Sequence, residues 1–185
     1  YTLFTHLDEI THLIFVHGFD LSLESSDIRR QSSEMAKRVG DVLQKSVIEV
    51  ETNIRTVFYP KSAWAKLHDG AAMAAVGHLF SSQFRKIYIA AGHTYEHLYA
   101  RGSHPVLDPL WSSERLEFDH DGCDVTRVQK TGRLANEQVA LENMRVCWQN
   151  IGNNYNCGEC EKCLRTMINL HVFGALERCT TFSKP

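Results

Sequence analysis

Four cysteines, Cys147, Cys157, Cys160 and Cys163, fall at the spacing C-x9-C-x2-C-x2-C near the end of the chain. Thiolate sulfur is a soft ligand that tetrahedral zinc holds at about 2.3 Å, and a C-x2-C step brings two sulfurs to one ion from a single tight turn. Two such steps share Cys160, so Cys157, Cys160 and Cys163 can form three corners of one tetrahedron. Gly158 stands where that turn needs an unhindered backbone. Cys147 would close the fourth corner from across a polar loop, 149–156. An all-thiolate site has no open position for water, so the chemistry it predicts is structural. Disulfides or a redox pair are the competing readings. The scatter of the other two cysteines, Cys123 and Cys179, and the lack of a secretory pattern favour zinc.

These ligands need elements to carry them. A chain of 185 residues, 43% of them hydrophobic, can bury one good core. A net charge of −2 gives no footprint for nucleic acid or an anionic membrane surface. No apolar run approaches the ~18 residues of a membrane span. The expectation is a soluble cytoplasmic protein, with a homodimer as the default assembly.

Tyr1, Leu3, Phe4, Leu7 and Ile10 recur at helical spacing, so the chain opens inside an amphipathic helix. The run 12–16, His-Leu-Ile-Phe-Val, reads as a strand buried on both faces. Met35, Val39, Val42 and Leu43 mark a helix over 31–45, and 47–51 reads as the next strand. Trp64, Leu67, Ala71, Ala74, Ala75 and Leu79 mark a long helix over 63–82, followed by a strand at 86–91. Strand and helix in this alternation predict an α/β fold with a doubly wound, mostly parallel sheet. The segment 93–113 is too long for an idle connector, and 116–128 reads as one more strand or a hairpin about Asp121-Gly122. Helices are expected at 137–146 and 161–176, the latter burying Leu164, Met167, Ile168, Val172 and Leu176.

Ligands of such sheets bind at the carboxyl ends of the strands. That rule selects His17-Gly18-Phe19-Asp20, Tyr59-Pro60-Lys61-Ser62 and Gly92-His93-Thr94. Each glycine alone is equally a turn residue. His68, Asp69 and Gly70 interrupt the long helix's apolar pattern, facing either a site or solvent. Glu117, Asp119 and Asp121 alternate along one strand face, which suits either magnesium or a solvated surface.

Gly92, the segment Ser103-His104-Pro105-Val106-Leu107-Asp108-Pro109 and the C-x2-C-x2-C followed by Arg165 give the chain a resemblance. It resembles the PP-loop ATP pyrophosphatases, in the branch near 7-cyano-7-deazaguanine synthase. The resemblance implies an adenine nucleotide alpha hydrolase-like fold, with residues 1–130 as the nucleotide-binding α/β domain and 131–185 as a helical four-cysteine zinc segment packed on the same core. It also implies a first strand and a Ser-Gly-Gly-x-Asp-Ser phosphate loop ahead of Tyr1. This sequence does not contain that loop, and without it ATP binding is expected to be poor.

The implied reaction is adenylation of a small-molecule carboxylate by ATP with Mg2+, pyrophosphate release, and capture of the acyl group by a nucleophile such as ammonia. By the same resemblance Phe15, Val16, His17 and Gly18 border the adenine and Gly92 the sugar and α-phosphate. Ser103, His104 and Asp108 border the acceptor pocket. Arg127 and Lys130, three apart ahead of a helix, suit neutralisation of the departing pyrophosphate, or form a solvated basic pair. Two other classes share some of these features: a non-catalytic nucleotide-binding relative, and a zinc knuckle for RNA, which the −2 charge disfavours.

Overall fold

The computed structural model of the chain describes residues 1–58 and 64–182. In chain order these form α1 (Thr2–Thr5), β1 (His12–His17), α2 (Ser26–Leu43), β2 (Ser46–Glu51), α3 (Ile54–Phe58), α4 (Asp69–His78), β3 (Lys86–Ala90) and β4 (Glu117–Asp121). Three further helices follow: α5 (Arg127–Leu134), α6 (Gln138–Asn143) and α7 (Glu161–Val172). The fold is mixed α/β. No helix among the described residues is long and apolar enough to cross a membrane.

The expected strands form close to where their apolar runs stand, but their pairing differs from the expected sheet. Among the described residues β1 pairs with β2 and β3 with β4, both parallel, as two separate two-stranded sheets. A single doubly wound sheet is not formed among the described residues. An apolar run specifies that a strand is buried, not which edge it joins. Of the two readings of 116–128, the strand is the one that forms: β4 stands in parallel register with β3, Lys86 opposite Glu117 and Ala90 opposite Asp121.

The chain separates into two compact units, one of Tyr1–Thr5 with Asn53–Arg127, the other of His6–Thr52 with Val128–Pro185. In the first unit, Ala74, Ile89, Leu116 and Phe118 form the core, with Met73, Phe84 and Ile87 packed against it. The core of the second unit is centred on the four cysteines with Leu141, Leu170, Ala175 and Phe182.

Two helices turn differently from their sequence periods. The long helix predicted over 63–82 starts as a π-helical turn, Trp64–His68, before α4 begins. The wider turn shifts the phase, so Trp64 and Ala74 are buried while Leu67 and Leu79 are exposed. In α7 the inward residues are Cys163, Thr166, Asn169 and Leu170, and the predicted inner residues Leu164, Ile168 and Val172 are exposed. The opening amphipathic helix is short, only Thr2–Thr5.

Candidate metal centre and ligand cavity

The sulfurs of Cys147, Cys157, Cys160 and Cys163 all lie within 4.8 Å of one another, and all four residues are buried. A tetrahedron with metal–sulfur bonds of about 2.3 Å has sulfurs about 3.8 Å apart. The contacts Cys157–Cys163 at 3.9 Å and Cys160–Cys147 at 4.0 Å match that edge. A disulfide needs about 2.05 Å, and none joins any cysteines among the described residues.

Local sequence builds this arrangement. Gly158 adopts φ +76°, the left-handed turn that lets the chain double back between Cys157 and Cys160. The backbone N–H of Cys160 donates to Cys157 Sγ at 3.3 Å and that of Asn150 to Cys147 Sγ at 3.3 Å. Burial pushes the Cys147 thiol up, yet backbone donors from Cys157 and Asn150 outweigh it and bring the thiol down to about 6. At Cys163 burial prevails and holds the thiol above its ordinary range. Four touching thiols cannot all ionise without a cation among them, and the buried cluster is compatible with a structural metal such as zinc.

Sequence reasoning missed the clamp beside these ligands. Asn156 is buried, and its Oδ1 accepts from the N–H groups of Val146 (2.9 Å) and Cys147 (3.1 Å). Its Nδ2 donates to the carbonyls of Met144 and Thr181 at 3.0 and 3.3 Å. Adjacency to Cys157 is the only signal the sequence carries for it.

The rest of the second unit's predicted residues are engaged within the chain. Phe15 and Val16 stand in β1 opposite Glu49 and Val50. His17 is 2% exposed, with Nε2 on Glu49 Oε2 at 2.9 Å and Nδ1 facing Arg29 Nε at 3.4 Å. The Ser33 hydroxyl, the His17 ring and the Lys37 ammonium hold the Glu49 carboxyl down at about 2. At Gly18, φ is +95° and an added Cβ would stand 1.8 Å from the Thr52 carbonyl oxygen, so this glycine serves a close backbone approach. Lys130 lies half-buried in α5.

In the first unit the predicted residues converge. A cavity of about 120 Å³ opens beyond the carboxyl ends of β3 and β4, lined by Asp69, Gly92, His93, Arg101, Ser103 and His120 among others. Arg127 Nη2 donates to the Gly92 carbonyl at 3.1 Å, within the first unit. Arg101 Nη2 donates to Asp69 Oδ2 at 2.7 Å, while Arg101 Nε is buried with no partner among the described residues. A shallower groove of about 560 Å³, lined by Leu67, Tyr99, His104, Val106 and Leu107, shares Leu98 and Arg101 with it. Pockets for drug-sized ligands run from about 300 to 1,000 Å³, so the cavity admits a few atoms and the groove a molecule's body.

Asp108 lies behind the cavity wall, 0% exposed. Its Oδ2 accepts from Ser103 Oγ at 2.7 Å and from His120 Nδ1 at 2.6 Å, and its Oδ1 from the His104 N–H at 3.3 Å. Gly70 lets α4 start against it, since a Cβ there would stand 2.8 Å from Asp108 Oδ1 and 2.2 Å from the Gly102 carbonyl. His120 was not foreseen, and no spacing in the sequence joins it to Asp108. The possible magnesium carboxylates are paired elsewhere: Lys86 Nζ lies 3.4 Å from Glu117 and 2.8 Å from Asp119, and Asp121 accepts from Thr2 Oγ1 at 2.6 Å. The remaining strand-end candidate, Tyr59-Pro60-Lys61-Ser62, lies outside the described residues. Compared with protein-family models, curated proteins and solved structures, the chain finds no match in any of the three.

Proposed function

We propose that this chain belongs to an ATP-dependent adenylating enzyme, with the acceptor bound in the cavity and groove of the first unit and a zinc ion stapling the second. The observation that carries the reading is the meeting of Gly92 and Ser103 at one cavity beyond two parallel strand ends, with Arg127 tied to the Gly92 carbonyl. These are residues that the family resemblance gives to nucleotide, acceptor and leaving group.

In this reaction a carboxylate oxygen attacks the α-phosphorus of ATP and pyrophosphate leaves. Acceptor and nucleotide need only be held in line, because positioning and charge neutralisation carry the rate. Arg101, pinned by Asp69, offers a fixed guanidinium to the carboxylate, and Arg127 one to the phosphates. The closed thiolate site takes no step in the chemistry.

The test is ATP–pyrophosphate exchange by the full-length gene product across a panel of small carboxylic acids. Exchange that depends on one acid supports the reading, and exchange that no acid stimulates overturns it.

A further inference from the structure

We propose that His120 is the proton acceptor for the nucleophile that captures the activated acyl group, held to that task by Asp108 and Ser103. The inference rests on the adenylation reading and adds the second half of its chemistry.

A carboxylate can only accept hydrogen bonds, so the 2.6 Å contact with Asp108 Oδ2 places the proton of a neutral His120 ring on Nδ1. The lone pair is then on Nε2, which makes no hydrogen bond within the described residues, and the ring lines the cavity. An imidazole oriented through one nitrogen with the other left basic is the arrangement of a general base. Asp108 and Ser103 are positioning residues.

The same three side-chain types could suggest a serine nucleophile. The connectivity opposes it. Ser103 donates to Asp108 at 2.7 Å, so its proton is committed to a carboxylate with no exposure, whereas a nucleophilic serine must give its proton to the histidine. A purely structural ion pair is the other reading. Buried pairs add little net stability, and such a role gives no reason for the ring to border a polar cavity.

The capture step balances without any further reagent. The lone pair of an amine or ammonia nitrogen forms the bond to the acyl carbon, and one N–H proton passes to His120 Nε2. The acyl carbon–oxygen bond breaks with its electron pair leaving on the phosphate of AMP. The cavity, at about 120 Å³, has room for such a small nucleophile beside the carboxyl group.

The experiment compares wild type and His120→Gln in the full-length protein, measuring acid-dependent ATP–pyrophosphate exchange and amide formation from ammonium. Amide formation should fall at least ~100-fold further than exchange, the scale of a lost general base, and hydroxylamine, more nucleophilic and largely uncharged at neutral pH, should recover part of it. Parallel loss of both rates overturns the proposal and leaves the adenylation reading intact. Wild-type exchange that no acid stimulates removes both. Nitrogen-15 NMR of the wild-type ring is a check independent of turnover and of variant folding. The Nδ1–H tautomer is expected, shifting in Asp108→Asn, and an Nε2–H tautomer in the wild type overturns the assignment.

Discussion

Each compact unit buries a histidine against a carboxylate near the carboxyl end of a parallel strand, His17 with Glu49 in one and His120 with Asp108 in the other. The pairs are alike in residue type and in partner distance, 2.9 and 2.6 Å. They differ in what is left over. Both ring nitrogens of His17 are engaged, by Glu49 and by Arg29, whereas among the described residues His120 uses only Nδ1. A buried histidine beside an acid is therefore no evidence of chemistry; a nitrogen without a partner, on a ring that lines a cavity, is. The four thiols of the second unit follow the His17 pattern, with each sulfur turned toward the others. In that unit the reactive groups are committed to holding the fold.

The strongest test of that contrast removes a thiol. Cys160→Ser should abolish stoichiometric zinc binding and lower stability by about 5 kcal/mol or more, because metal binding at such sites is folding free energy. For a chain of this length that is a fall in Tm of about 10–20 °C. Metal analysis and thermal unfolding measure both. Full zinc content in the variant would show that the four ligands are wrongly assigned.

Next in size is the carboxylate behind the cavity. Asp108→Ala leaves the Ser103 hydroxyl, the His104 N–H and the His120 ring without their buried acceptor. Breaking a buried, hydrogen-bonded pair on one side costs about 3–5 kcal/mol. Glu49→Ala should cost less, because Glu49 is 25% exposed and Lys37, one of its partners, is 62% exposed. Urea denaturation of the two variants orders them, and equal losses would erase the distinction between the sites.

These two sites also show what a sequence can and cannot display. The four-cysteine cluster is legible because a C-x2-C step closes within one turn, and Gly158 marks where the turn must bend. The strands at 12–16, 47–51 and 86–91 are legible because burial on both faces demands an unbroken apolar run. Their pairing into two sheets is not, since edge partners are chosen by contacts far apart in the chain. His120 and Asp108 lie twelve residues apart on a strand and a 3-10 turn, and no helical or strand period links such positions. Asp108 was expected at the acceptor pocket by resemblance, and its burial behind the wall depends on Gly70 and Gly102 letting two segments meet.

A subtler difference concerns acid. Ser33, His17 and Lys37 hold the folded Glu49 carboxyl at about 2, below the ordinary value of 4.5. A depressed carboxyl binds fewer protons when folded than when unfolded, so its contribution is full above pH 4.5 and is lost as pH falls toward 2. Glu49→Gln should lower the neutral plateau and flatten that part of the acid-unfolding curve, so that variant and wild type converge as pH falls toward 2. Urea midpoints followed from pH 7 to pH 2.5 measure it. An acid limb as steep in the variant as in the wild type would mean that other carboxylates carry it.

The smallest expected effect bears on how the four-cysteine cluster organises its own helix. Leu164, Ile168 and Val172 recur four apart, the spacing of a buried stripe, yet they are 48%, 63% and 68% exposed. Cys163 sits one residue before that stripe, and one residue is 100° of helical turn. A sulfur that must face the other three fixes the rotation of α7, which carries Thr166 and Leu170 inward behind it and turns the apolar stripe out. Ile168→Lys should then change stability by less than about 0.5 kcal/mol, whereas Leu170→Ala, at a residue with no exposure, should cost about 2–5 kcal/mol. Equilibrium denaturation of the two variants measures both. A large loss from Ile168→Lys would place the stripe in an interior, and the helix would then be oriented by its hydrophobic period and not by the cysteine cluster it joins.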